Sequence, residues 1–209
     1  MLYISGLAVF AFLAGSEHEI PGELRTSIWI QSWRTTWLDA VMYSISVPGF
    51  WELGIPIVAA TLALLFATGR RRESGLMLSA IAFTVGANIL LKEIIARPRP
   101  PDSVAEVFGS PSSFGFPSGH VMNYVVFLGM LLFIYTGGTR PRLRRTLTHG
   151  AFVLALIGVG VSRIYLGVHT FVDVLGGYAF GAVVVLVFAS IWLSWVDAGH
   201  RREPRPAGK

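Results

Sequence analysis

Apolar residues in this chain come in long, nearly unbroken runs, and polar or charged positions are confined to short segments between them. A helix needs about 20 apolar residues to cross the hydrocarbon core of a bilayer. Runs approaching or reaching that length fall at 1–15, 51–68, 74–96, 118–136, 148–165 and 170–195. The pattern predicts an all-α integral membrane protein with six transmembrane helices. The first run is short and lacks the basic flank of a signal peptide, so it reads as a retained first helix.

Between the first two runs lies a longer linker, Ser16 to Gly49, in which Trp29, Trp33 and Trp37 recur every four residues. That spacing places them on one face of a helix. With Arg25, Arg34 and Asp39 close by, it predicts an amphipathic helix lying in the membrane interface. Anchoring is the ordinary role of such tryptophans, and a lipid-facing platform is the alternative. The chain thus divides into a first helix with its linker (1–50), a five-helix core (51–195) and a basic tail (196–209).

Composition agrees with the pattern. Of 209 residues, 53% are hydrophobic and 14% charged, and the mean hydropathy is +0.61, outside the range of ordinary soluble domains. There is no cysteine, which excludes a disulfide framework and a thiolate metal site. The net charge of +5 does not indicate a nucleic-acid partner, because the basic residues cluster in loops between apolar runs. Arg70–Arg72, then Arg140, Arg142, Arg144 and Arg145, then Arg201, Arg202, Arg205 and Lys209 make three such clusters. Six alternating spans put all three on one side. By the bias of basic loops toward the cytoplasm, that side and both termini are cytoplasmic.

The remaining unusual residues fall at the opposite ends of the spans. The third run ends in LLKEIIARPRPP, the fourth begins FPSGHVMNYV, the fifth ends SRIY and the sixth begins HTFVD. Lys92, Arg97, Arg99, Ser118, His120, Arg163, His169 and Asp173 therefore collect at one membrane surface. A charge misplaced near the bilayer centre costs about 2.5–3.5 kcal/mol, so residues of this kind need partners, water or a task.

Their chemistry suits an oxyanion, most simply phosphate. Lys92, Arg99 and Arg163 concentrate positive charge, and arginine offers phosphate a planar fork of donors. Ser118 and Gly119 stand where the fourth span starts, and the free N–H groups of a helix start bind anions. His169 and Asp173, four apart, would share a helical face, so that the carboxylate holds one ring nitrogen and leaves the other free to attack. His120 is placed to act as general acid toward a leaving oxygen. The arrangement reads as phosphoryl transfer through a phosphohistidine, with cations doing what metals do elsewhere. No metal and no other cofactor is expected. Arg97 reads as a loop charge, with a secondary headgroup contact as the alternative, Asn88 and Asn123 as links between helices, and Pro111–Phe116 as either a lid or an ordinary irregular loop.

Three motifs carry a resemblance. Lys92, Arg99 and Pro100 form K-x6-R-P; Pro117–His120 form P-S-G-H; Ser162, Arg163, His169 and Asp173 form S-R-x5-H-x3-D. Together they resemble the three-part signature of the type 2 phosphatidic acid phosphatase superfamily, over roughly 75–195. The resemblance implies a six-helix membrane fold with an extracytoplasmic site and metal-independent hydrolysis of lipid phosphates. It implies His169 as nucleophile, Asp173 as its orienting partner and His120 as general acid. Lys92, Arg99, Ser118, Gly119 and Arg163 are then the phosphate binders. The expected substrate is a lipid phosphate monoester or diphosphate, such as phosphatidylglycerol phosphate, undecaprenyl diphosphate or phosphatidate. Phosphotransfer from the same phosphohistidine, or non-enzymatic transport of an anionic lipid, are the alternatives. Residues 1–50 carry no motif, and oligomeric state is not legible.

Overall fold

The computed structural model describes residues 22–99, 113–136 and 141–202. Among the described residues every regular element is helical: α1 Glu23–Gln31, α2 Thr36–Ser46, a short 3₁₀ turn Val47–Gly49, α3 Trp51–Ala67, α4 Arg71–Ile95, α5 Gly119–Thr136, α6 Arg142–Tyr165 and α7 Phe171–Arg202. Five of these coincide with the apolar runs from 51 onward. The run at 1–15 and the second half of the 196–209 tail lie outside the described residues.

Among the described residues, length and composition support part of the six-span expectation. The helices α4, α6 and the 171–196 part of α7 are long and apolar enough to cross a membrane. The pair α2–α3 passes only when joined across a 52° bend, and α5 is a shorter apolar helix. The described residues thus provide three spans, or four with the bent pair. The bend has a local cause. Pro48 lacks an N–H, and Phe50 leaves the helical region at φ −79°, ψ 151° before α3 begins.

The single linker helix expected from the tryptophan spacing is also corrected. It is broken between Gln31 and Thr36, with Trp33 in the break, and Thr35 is extended at φ −147°, ψ 152°. The cause is tertiary. The Tyr165 hydroxyl accepts from the Thr35 N–H at 3.3 Å and donates to Asp39 at 2.7 Å, while Gln31 donates to the Tyr165 carbonyl at 3.3 Å. All three tryptophans remain more than 60% exposed.

Lipid tails are as apolar as leucine, so burial alone does not hold membrane helices together; close approach does. Glycines supply it between α5 and α7. A methyl group added at Gly177 would lie 2.8 Å from the Ser118 carbonyl oxygen, and one at Gly181 would lie 2.8 Å from Val125. On α5, Gly129 meets Val185 in the same way. Beneath the end that carries Ser118, Val121, Val125, Val159, Ile164 and Val174 form one buried cluster. At the other end Arg70 donates to the Ile134 carbonyl at 3.3 Å, joining the start of α4 to the end of α5. The Arg-rich starts of α4 and α6 are therefore at the opposite end of the bundle from Lys92, Ser118 and Arg163, as the alternation requires.

Candidate active site

The site begins where α4 stops. Ala96 takes the left-handed conformation at φ 49°, returning its N–H to the Lys92 carbonyl at 2.8 Å, and the following Arg97-Pro98 cannot continue a helix. The chain leaves as an extended segment through Arg99. Loop 113–118 lies against it: the Gly115 N–H bonds to the Arg97 carbonyl at 2.8 Å, and the Ser118 N–H to the Asp173 carbonyl at 2.9 Å. Asn88 donates to the Pro117 carbonyl at 3.2 Å in this loop, and its contact with another helix is with Met122 Sδ at 3.8 Å.

Lys92 and Arg99 both reach this loop. Lys92 Nζ donates to the Phe114 carbonyl and approaches Ser113 Oγ at 3.4 Å. Arg99 Nε donates to the Ser113 carbonyl at 2.7 Å, and its Nη1 to the Val168 carbonyl. Residues 113–116 are thus bonded onto the site, and Phe116 is fully buried. Ser118 is fully buried and its Oγ has no hydrogen-bond partner among the described residues. It stands immediately before α5, whose first N–H groups have no intrahelical acceptor. At Gly119 a methyl group would lie 2.8 Å from Asn88 Oδ1, so a side chain there would have to displace the amide that bonds Pro117.

The end of α6 delivers the other half. Arg163 is 5% exposed, donates through Nη1 to Ser46 Oγ at 2.5 Å and lies 5.6 Å from the Phe50 ring centroid. After Tyr165 the chain reverses at Gly167, φ 72°, and the His169 N–H returns to the Arg163 carbonyl at 3.3 Å. His169 is therefore not on a helix, contrary to the expectation of a shared helical face. It precedes the cap of α7. Thr170 is that cap, and Asp173 closes a reciprocal box with it. The Thr170 N–H donates to Asp173 Oδ2 at 2.9 Å and the Asp173 N–H to Thr170 Oγ1 at 3.4 Å. His169 Nδ1 still lies 3.4 Å from Asp173 Oδ2, in ionic reach though outside hydrogen-bond geometry. Burial pushes the His169 imidazole down to about 4, with Asp173 opposing that shift.

His120, in the first turn of α5, packs edge-on against Phe50 at 4.8 Å, and its Nε2 is buried with no hydrogen-bond partner among the described residues. Arg163, His169, Arg99 and Lys92 all act on it electrostatically. The predicted residues therefore come together: both histidines, Asp173 and the three cations, with Ser118 and Gly119 at the helix start between them. Among the described residues no three His, Asp or Glu side chains gather as a metal site would require.

Sequence reasoning missed several members. Ser46, Gly49 and Phe50 come from the linker, which carries no motif. Arg97 is no free loop charge: it pairs with Glu23 at 2.6 Å and with Asp173 at 3.4 Å. The Thr170–Asp173 box was visible, since a Thr followed three residues later by an acid marks a helix start. The linker contacts span too many positions for any local signal.

A multi-pass helical membrane protein with two histidines, an aspartate and a ring of cations at one end has the make-up of a membrane enzyme that acts on phosphate esters. The PAP2 superfamily profile matches residues 73–196, which include all eight predicted site residues, and the chain belongs to that superfamily. Phosphatidylglycerophosphatase B of Bacillus subtilis is 34% identical over 156 residues, covering 72% of this chain and 73% of that protein. An undecaprenyl-diphosphatase of Sulfolobus acidocaldarius is 26% identical, covering 88% and 85%. The crystal structure of a transmembrane PAP2-type phosphatidylglycerolphosphate phosphatase from Bacillus subtilis superposes with a TM-score of 0.79 at 26% identity, over 93% of this chain and 98% of that one. The protein is a lipid phosphatase of the membrane.

Proposed function

We propose that this phosphatase hydrolyses phosphatidylglycerol phosphate or undecaprenyl diphosphate, with phosphatidate as a third substrate, through a phosphohistidine on His169. The reading rests on one observation above all: His169, from the turn before α7, and His120, from the first turn of α5, meet in a cluster with Arg99, Arg163 and Lys92. The names of the relatives support the lipid class. The Arg-rich loops at the far end of the bundle support an extracytoplasmic site in the plasma membrane, with cytoplasmic termini. In this reading 51–195 is the catalytic core, with the linker before it forming one wall of the site.

The chemistry follows from the positions. With Nδ1 toward Asp173, His169 presents Nε2 to phosphorus. As the N–P bond forms, the bond from phosphorus to the lipid oxygen breaks, and His120 gives that oxygen its proton. Water then attacks phosphorus, His120 takes one of its protons, and the N–P bond breaks to release inorganic phosphate. Lys92, Arg99 and Arg163 stabilise charge on the equatorial oxygens throughout, and the unpartnered Ser118 Oγ and the Gly119 N–H bind the same group. The cations supply the charge a metal would, so activity is expected to survive a chelator.

The test is phosphate release by detergent-purified protein from the three lipids with chelator present. Release from one of them supports the reading and selects its substrate. Folded protein that releases none, or that hands the phosphoryl group to an acceptor other than water, overturns it.

A pH profile checks the nucleophile. His169 must be neutral to attack, and it is neutral above a pKa of about 4 rather than its ordinary 6.5. The acid limb of kcat/KM, which reports the free enzyme, is expected near pH 4, with activity lost as pH falls through it. Asp173 raises this pKa, so Asp173→Asn should move the limb to lower pH while lowering the rate. A limb near 6.5 would assign the nucleophile to a solvated imidazole and not to buried His169.

A further inference from the structure

Behind Asp173 lies a second pair of buried charges that the three motifs do not include. Arg97 Nη1 is 3.4 Å from Asp173 Oδ1 and 3.4 Å from Thr170 Oγ1, and its Nη2 is 2.6 Å from Glu23 Oε2. The side chains of Arg97, Glu23 and Asp173 are 11%, 5% and 1% exposed. Glu23 opens α1, fifty positions before the first residue that the family profile matches.

The two oxygens of Asp173 are divided. Oδ2 takes the Thr170 N–H and faces His169 Nδ1; Oδ1 is left for Arg97. A carboxylate can rotate about its last bond, and only near this orientation of its plane does one oxygen face the histidine while the other faces Arg97. Arg97 bonds the far oxygen and so selects that rotation. A guanidinium beside a single carboxylate at this depth would itself be free to swing; its planar fork spans Asp173 on one arm and Glu23 on the other, which fixes it. Burial makes the arrangement consequential, because removing one member of a buried charge set leaves another uncompensated.

We infer that Glu23 and Arg97 are positioning residues for the reaction: Glu23 holds Arg97, and Arg97 holds Asp173 in the orientation that aims His169. This rests on the proposed role of His169 and Asp173, and it extends the site to the helix at the start of the described chain.

The experiment measures kcat, KM and the inhibition constant of inorganic phosphate for Arg97→Met, Arg97→Lys, Glu23→Gln and the Glu23→Gln/Arg97→Met double variant, with His169→Ala alongside. Arg97→Met is expected to lose about tenfold or more in kcat, as misaimed catalytic groups do. KM and the phosphate constant should stay close to wild type, because Lys92, Arg99 and Arg163 still hold the anion. Arg97→Lys should recover part of the loss, since an ammonium reaches one carboxylate but not both. Glu23→Gln should lose less than Arg97→Met, and the double variant no more than Arg97→Met alone. Wild-type kcat in Arg97→Met overturns the inference. So does a rise in KM and the phosphate constant with kcat intact, which would make Arg97 a phosphate ligand, or a double variant showing the product of the single losses. If Arg97→Met does not fold, Glu23→Gln, nearly isosteric, decides alone: unchanged kcat there overturns the inference. Retained activity in His169→Ala would instead sink the mechanism beneath it, a separate outcome.

Discussion

Phosphate release by the His169→Ala protein is expected to fall by at least about 10⁴-fold, the scale on which enzymes lose turnover when their nucleophile is removed. No other described side chain offers a route around it. In the proposed mechanism His120 is the proton donor of the same step, and Lys92, Arg99 and Arg163 are cations that bind without attacking. Binding should therefore survive where chemistry does not, and inorganic phosphate should inhibit or occupy the variant as it does the wild type. Because His169 is almost fully buried, alanine leaves a void beside a carboxylate that has lost its neighbour. His169→Gln, closer in volume and able to face Asp173 with its amide, should be just as inactive and better folded. The direct check is protein quenched in alkaline denaturant after brief exposure to lipid carrying ³²P in its phosphate. Wild type should carry label that is labile to acid and stable to base, as a phosphoramidate is, and both variants should carry none. Release within tenfold of wild type in a folded variant would end the phosphohistidine reading.

How far the sequence discloses this site depends on what kind of contact each residue makes. The helices from Trp51 onward were legible because a bilayer imposes one requirement, a long apolar run, and the chain meets it with few interruptions. The gathering of Lys92, His120, Arg163 and His169 was legible because alternating spans leave only two ends at which charges can collect. Details set by tertiary contact were not. The four-residue tryptophan spacing is that of an unbroken helix, yet Tyr165, more than 125 positions away, ties down Thr35 and Asp39 and breaks it. The i, i+4 relation of His169 to Asp173 suggested a helical pair. The pair forms instead across a helix cap, where the intervening Thr170 and Asp173 bond each other. Arg97 looked like a stray charge because its partner Glu23 is 74 positions upstream. Local rules read periods and caps well; they do not read which distant loop is folded onto a carboxylate.

The linker also makes the least conspicuous demand on the site, and it is a glycine. Gly49 closes the 3₁₀ turn before α3, and a methyl group built on it would overlap the His120 ring and lie 3.1 Å from Tyr124. The ring has little room to retreat, with Phe50 4.8 Å away edge-on and the first turn of α5 behind it. Gly49→Ala is therefore expected to swing His120 away from the leaving oxygen, at a cost of about 10²-fold in kcat, the penalty for displacing a catalytic group by roughly an ångström. Lys92, Arg99 and Arg163, the proposed phosphate binders, are untouched, so KM should change little. The decisive comparison is with His120→Ala. If Gly49 acts through His120, then Gly49→Ala adds nothing to a protein that already lacks the imidazole, and the double variant matches His120→Ala alone. Losses that multiply would mean that residue 49 acts on something else, and wild-type kcat in Gly49→Ala would show that the imidazole is free to move aside and return.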